Sequence, residues 1–266
     1  MLQPTPNART IQLPQAHGGL QCVAFEVNMI QENCYLLWDA TREAVLVDDG
    51  AFYPEERAYI DAFIAEHDLR LVHLLITHGH FDHIFGLDHL SSRYNLLPEM
   101  GRNERATYEA AKEQMTAFLH RAFPLEVPPA GRMLDEGDEV SFGTHTLRII
   151  NTPGHTPGGI CFYEEADGVL LSGDSLFQGA IGRCDLPGGN MQTLVRALSE
   201  KVMTLPEQVC VLPGLDAPPL HPLPRRGPGP GFALLLPQQR GPHPDGPLVG
   251  TARAVGRGGR RGGATR

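Results

Sequence analysis

Thr77-His78-Gly79-His80-Phe81-Asp82-His83 places four potential metal ligands within six residues. It follows Leu71-Val72-His73-Leu74-Leu75-Ile76, a short apolar run closed by a turn signal, which reads as a buried strand. The next segment, Ile84-Phe85-Gly86-Leu87-Asp88-His89-Leu90, can start a helix. The cluster therefore lies on a strand-to-helix loop, where rigid elements aim side chains into one place. Neutral imidazoles with a carboxylate suit zinc, iron or manganese, and a site with an open position can hold a reactive water. His78 and His80, two apart, can reach one ion. Asp82 and His83 leave a tight turn in another direction and can reach a second, and a hydroxide between two ions is a strong nucleophile at neutral pH. A polar loop of surface histidines is the competing reading, and the density of ligands directly after an apolar strand weighs against it.

Working outward, three strands precede the loop: Gln21 to Val27, Asn33 to Trp38, and Ala44 to Val47, the last closed by Asp48-Asp49-Gly50. Pro54-Glu55-Glu56-Arg57 opens a helix that runs to about His67, with Pro and acids in the first turn. Its apolar face is Ala58, Phe63 and Ile64, and His67 suits the negative end of the dipole. A second long helix is expected over 102–121, with Met115, Phe118 and Leu119 as core and His120 on the surface. Strands over 139–142, 146–150 and 160–163 flank Asn151-Thr152-Pro153-Gly154-His155-Thr156-Pro157-Gly158-Gly159. Val169-Leu170-Leu171-Ser172-Gly173-Asp174 is a strand ending in an acid. A helix over 190–203 is capped by Asn190, and 208–212 is the last expected strand.

The His-x-His-x-Asp-His run resembles the signature of the metallo-β-lactamase superfamily of metallo-hydrolases. Thr152-Pro153-Gly154-His155-Thr156-Pro157-Gly158 is similar to its third-histidine motif, and the likeness spans about residues 20 to 214. Ile181-Gly182-Arg183-Cys184-Asp185 is similar to a segment of the glyoxalase II-like (hydroxyacylglutathione hydrolase-like) branch. The resemblance implies an α/β fold, a four-layer αββα sandwich with the site at one edge of two sheets. It implies that His155 joins His78 and His80 on a first ion, and that Asp174 bridges to a second held by Asp82 and His83. It implies zinc, one or two ions, with iron or manganese as variants. Asp48 becomes a candidate support for the metal loop, a strand-end turn being the equal alternative. Arg183 either binds an anionic substrate group or pairs with Asp185.

The implied activity is hydrolysis by a metal-bound hydroxide, oriented by Asp82 as the catalytic carboxylate, on a thioester such as a hydroxyacyl-glutathione. An iron-dependent persulfide dioxygenase type of oxidoreductase, on the His78/His80/His155 and Asp174 ligands, is an alternative. So is an inactive protein. Where the family pattern has Pro-Gly-His-Gly, this chain reads Pro213-Gly214-Leu215-Asp216, and leucine cannot bind a metal. The second ion is then expected to be held weakly or left out.

The 266 residues carry a formal charge of −9, which argues against nucleic acid as a partner and leaves a small-molecule substrate. No run is apolar enough to span a membrane. The N-terminus lacks a signal-peptide pattern, and five scattered cysteines read as reduced thiols in a cytoplasmic protein. Residues 1–19 are expected to be loose, 20–214 to form the metallo-hydrolase domain, and 215–266 to be a disordered tail. That tail holds eight Arg, no Lys and two acids, a net +6, so the other 214 residues carry −15. Twenty-one of its 52 residues are Gly or Pro. Loss of one base turns a His-Gly codon pair into Leu-Asp, so the tail reads as an out-of-frame product, with a natural basic tail as the rival.

Overall fold

The computed structural model of the protein describes residues 7–13, 19–122 and 124–215. The tail from 216 onward, including His221 and His243, and parts of the 1–19 segment lie outside the described residues. Within that segment, taken as loose from its composition, Asn7–Thr10 forms β1 and pairs antiparallel with β2 (Gln21–Val27).

The first sheet has the order β1-β2-β3-β4-β5-β6-β7. Its other strands are β3 (Glu32–Trp38), β4 (Glu43–Val47), β5 (Arg70–Leu75), β6 (Pro98–Gly101) and β7 (Met133–Leu134). Antiparallel hairpins build β1 to β4, and β5, β6 and β7 are added parallel. The second sheet contains β8 (Glu139–Phe142), β9 (His145–Asn151), β10 (Ile160–Glu164), β11 (Val169–Gly173) and β14 (Cys210–Pro213), in the order β14-β11-β10-β9-β8. A small hairpin, β12 (Leu176–Phe177) and β13 (Ala180–Ile181), stands apart from both.

Strand alternation builds three apolar layers, which is why the fold has four structural ones. On the first sheet, Phe25, Leu36 and Leu46 face outward onto α1 (Pro54–Glu66) and α2 (Leu87–Tyr94), where Ile60, Ile64, Leu87 and Leu90 meet them. The alternate residues Ala24, Tyr35, Leu37, Val45 and Val47 face inward and pack on Leu147, Ile149, Phe162, Leu171 and Leu212 of the second sheet. That sheet turns Cys161, Tyr163 and Leu170 outward onto Leu194 and Leu198 of α5 (Met191–Glu200). The αββα sandwich expected from the motif is the observed fold.

Two expectations change. The single helix over 102–121 is broken: a 3-10 turn (Arg102–Glu104), then α3 (Arg105–Glu109) and α4 (Ala111–Leu119), separated at Ala110. The break follows tertiary contacts of Gln114. Gln114 Nε2 donates to Thr107 O at 2.7 Å and Gly79 O at 3.2 Å, while Gln114 Oε1 accepts from Phe81 N at 3.2 Å. Bonds to the 78–83 loop replace regular helix. Phe118, expected in the core with Met115, is 42% exposed and rests its ring against Phe81. His67 caps α1 and stacks on Phe63, and His120 is exposed.

Candidate metal centre

The His/Asp loop leaves β5 at the end where β4, β10 and β11 also deliver their termini. Asp48 follows β4, the His155 turn precedes β10, and Asp174 follows β11. Ile160 N donates to Thr77 O at 3.0 Å, stitching the two sheets at this edge. His78, His80 and His155 each present a ligand atom within 4.8 Å of one another, as do His78, His83 and Asp174. His78 Nε2 and His155 Nε2 stand 3.2 Å apart. Asp174 lies between the two sets, with Oδ2 at 3.6 Å from His155 Nε2 and Oδ1 at 3.4 Å from His83 Nε2. Asp82 Oδ2 lies 3.7 Å from His83 Nε2. All six sequence-expected ligands thus share one site.

The Nδ1 atoms are held from behind, which frees Nε2 to face an ion. His155 Nδ1 donates to Arg183 O at 2.7 Å. His78 Nδ1 contacts Thr77 Oγ1 at 3.1 Å, and His83 Nδ1 contacts Asp48 Oδ2 at 3.1 Å. Asp48 also accepts from Thr77 N at 2.7 Å and Thr77 Oγ1 at 2.8 Å. It does so at φ +57°, a left-handed backbone that costs a non-glycine residue about 1 kcal/mol or more. Of the two readings of Asp48, support of the loop is the one its contacts match.

The electrostatics suit cation binding. Burial, then the neighbouring His83, holds His78 far below the usual imidazole range, and burial with His155 brings His80 to about 3. Both are therefore neutral ligands at physiological pH. Burial works to lower the pKa of His83, but the Asp174 and Asp82 carboxylates outweigh it and raise it. Burial opposes ionisation of Asp174, and the His83 charge overcomes that and lowers its pKa. His83 Nε2 and Asp174 Oδ1 are buried and lack a well-formed hydrogen bond. Such unpartnered buried polar atoms are costly, and a cation taking the place of the His83 proton would satisfy both, so the donor set fits a metal.

The chain passes this second donor set at Gly214. A Cβ there would lie 2.6 Å from His83 Cε1 and 2.7 Å from Asp174 Oδ1, so the backbone itself walls the site. Gly214 is pinned by its N–H to Gly173 O and by Asn33 N to its carbonyl. Leu215 follows, half-buried, and brings no donor. Arg183, weighed as a substrate contact or as a partner of Asp185, makes a two-pronged ion pair with Asp185 at 2.7 and 2.8 Å.

Two buried acids escaped the sequence reading. Glu32, fully buried at the start of β3, lies 3.7 Å from His83 Nδ1. Glu104, inside the expected 102–121 helix but not singled out there, is fully buried behind the ligand loops. Neither has a local sequence signal, because each is brought in by strand pairing or by the broken helix. A further buried group, His145, Glu164 and Asp167, lies at the opposite end of β9 and β10, beside the β8–β9 and β10–β11 turns.

The chain matches the description Metallo-beta-lactamase superfamily over residues 27–214. It is 35% identical over 188 residues to "Probable metallo-hydrolase YqgX" of Bacillus subtilis, covering 71% of this chain and 86% of that one. It is 33% identical over 190 residues to "Hydroxyacylglutathione hydrolase GloC" of Haemophilus influenzae, covering 71% and 87%. Among solved structures, TTHA1623 in a di-iron-bound form superposes with a TM-score of 0.63 at 31% identity, over 72% of this chain and 91% of that one. With the two histidine motifs, the aspartate between the two donor sets and the sandwich in place, the chain belongs to the metallo-β-lactamase superfamily.

Proposed function

We propose that the protein is a metal-dependent hydrolase of a thioester such as a hydroxyacyl-glutathione. The observation that carries the reading is Asp174, which offers one oxygen to the His78/His80/His155 set and the other to His83. Similarity to the Haemophilus hydroxyacylglutathione hydrolase supports the substrate class. A divalent ion held here supplies Lewis acidity and lowers the pKa of a bound water toward neutrality. His78, His80 and His155 would hold the first ion, and Asp82, His83 and Asp174 the second.

The chain's own groups set the rest. His80 is the least buried of the three imidazoles, so a carbonyl approaches from its side. Asp82, buried with Oδ2 at 3.7 Å from His83 Nε2, would orient the attacking water from the edge of the second donor set. Arg183 would meet an anionic substrate group by exchanging it for Asp185, a role read out as a raised KM in R183A.

Thiol release from hydroxyacyl-glutathione, measured on metal-loaded protein, tests the reading. Turnover that disappears with a chelator and returns with zinc is the expected result. A fully loaded protein that releases no thiol sinks the thioester assignment. A second reading, oxidation chemistry on iron, is favoured by one observation, the di-iron form of a similar structure. It predicts iron in aerobically purified protein and oxygen uptake with a glutathione persulfide.

A further inference from the structure

The two loops that carry the first ligand set come from different sheets. His78 and His80 follow β5 and His155 precedes β10, separated by 75 residues and more in sequence. Nothing local fixes their spacing. One buried side chain touches both. Glu104 Oε1 accepts from Gly79 N, between His78 and His80, at 2.8 Å. Glu104 Oε2 accepts from Thr156 Oγ1, beside His155, at 2.8 Å, and from Gly158 N at 2.8 Å. The residue is fully buried, and no Lys or Arg among the described residues pairs with it. Burial raises its pKa, and these donors in the ligand loops, with the Thr107 side chain, oppose that shift. The packing is built for this reach, because a Cβ on Gly158 would come within 2.1 Å of Glu104 N.

We propose that Glu104 is a positioning residue that sets the separation of the His78/His80 loop from the His155 loop, and so the geometry of the first metal position. It acts from behind the ligands and touches no ion. The proposal rests on reading His78, His80 and His155 as metal ligands. In E104Q the side chain keeps its shape, but an amide N–H must face one of the loop donors, so one loop loses its anchor.

Cobalt(II) titration of wild type and E104Q, followed by visible absorption and by chelator competition, tests the idea without substrate. E104Q should bind cobalt about tenfold or more weakly and show a changed ligand-field spectrum. A merely structural Glu104 would lower the melting temperature of the metal-free protein and leave cobalt affinity and spectrum as in wild type, and that result overturns the proposal. If E104Q does not fold, T156V decides, because it removes one donor and keeps the acid. It should weaken cobalt binding about threefold or more, and wild-type binding in T156V overturns the proposal. Wild-type protein that takes up no cobalt rejects the metal reading itself, a failure distinct from an unchanged E104Q.

Discussion

Leu215 stands directly after the glycine that walls the second donor set, and its isobutyl group leaves His83 Nε2 and Asp174 Oδ1 without a further partner from that side. Asp82, His83 and one oxygen of Asp174 are then the described donors for a second ion, and two of them are shared with or crowded by the first set. A histidine at this position adds a neutral donor. L215H is expected to raise the zinc content of desalted protein from about one toward two equivalents, and affinity for the second ion by about tenfold or more. Metal analysis after gel filtration checks it, and equal content in the two proteins would reject the assignment of Leu215 to the metal edge. Asp174 is the other deciding residue. D174N keeps the shape but replaces one oxygen by a donor, so both ions should be lost or weakened and turnover should fall by at least about a hundredfold. An active, fully loaded D174N would remove the bridging role.

At the scale of elements, the end of the sandwich opposite the candidate metal centre is closed by Asp39, just after β3. Its carboxylate accepts from Thr41 N at 2.9 Å and from Thr144 N and Oγ1 at 2.7 Å each, so it joins the turn before β4 to the β8–β9 turn. Burial favours the neutral acid, but the Thr41 and Thr144 hydrogen bonds outweigh it and hold the pKa well below the usual carboxylate range. A depressed folded-state pKa means stability that is full above the unfolded value of about 3.9 and lost as pH falls toward the folded one. D39N should therefore cost about 2 kcal/mol at pH 7 by urea unfolding, and the gap to wild type should narrow below about pH 4. A gap unchanged by pH would mean that shape, not charge, matters there. The helix α5 is held in a simpler way, by Asn190 Oδ1 accepting from Thr193 N at 3.0 Å. N190A should cost about 1 kcal/mol, with no effect on metal content.

For the whole molecule, the ions would tie loops from both sheets, so bound metal and folding are linked. Stripping metal with a chelator should lower the melting temperature, and free zinc at a thousandfold its dissociation constant should stabilise by about 4 kcal/mol. A melting curve unmoved by metal would show that the ligands are already held without it. Much of this plan is legible in the sequence because it is written in local patterns. Apolar content in Gln21–Val27 and Glu32–Trp38 marks buried strands, and four potential ligands packed after Ile76 mark a candidate metal loop. The Asn190 cap could be read from its own helix. The break at Ala110, the exposure of Phe118 and the burial of Glu32 and Glu104 could not. Helix propensity over 102–119 is uniform, and only the reach of Gln114 and Glu104 to the ligand loops decides where it bends. The sequence by itself determined the types of the candidate ligands, their order along the chain and the apolar runs that become buried strands, since these depend on near neighbours. Tertiary structure alone decided which carboxylates stand behind the ligands and how far apart the two histidine loops sit, because those contacts join residues far apart in the chain and exist only once the sheets have packed.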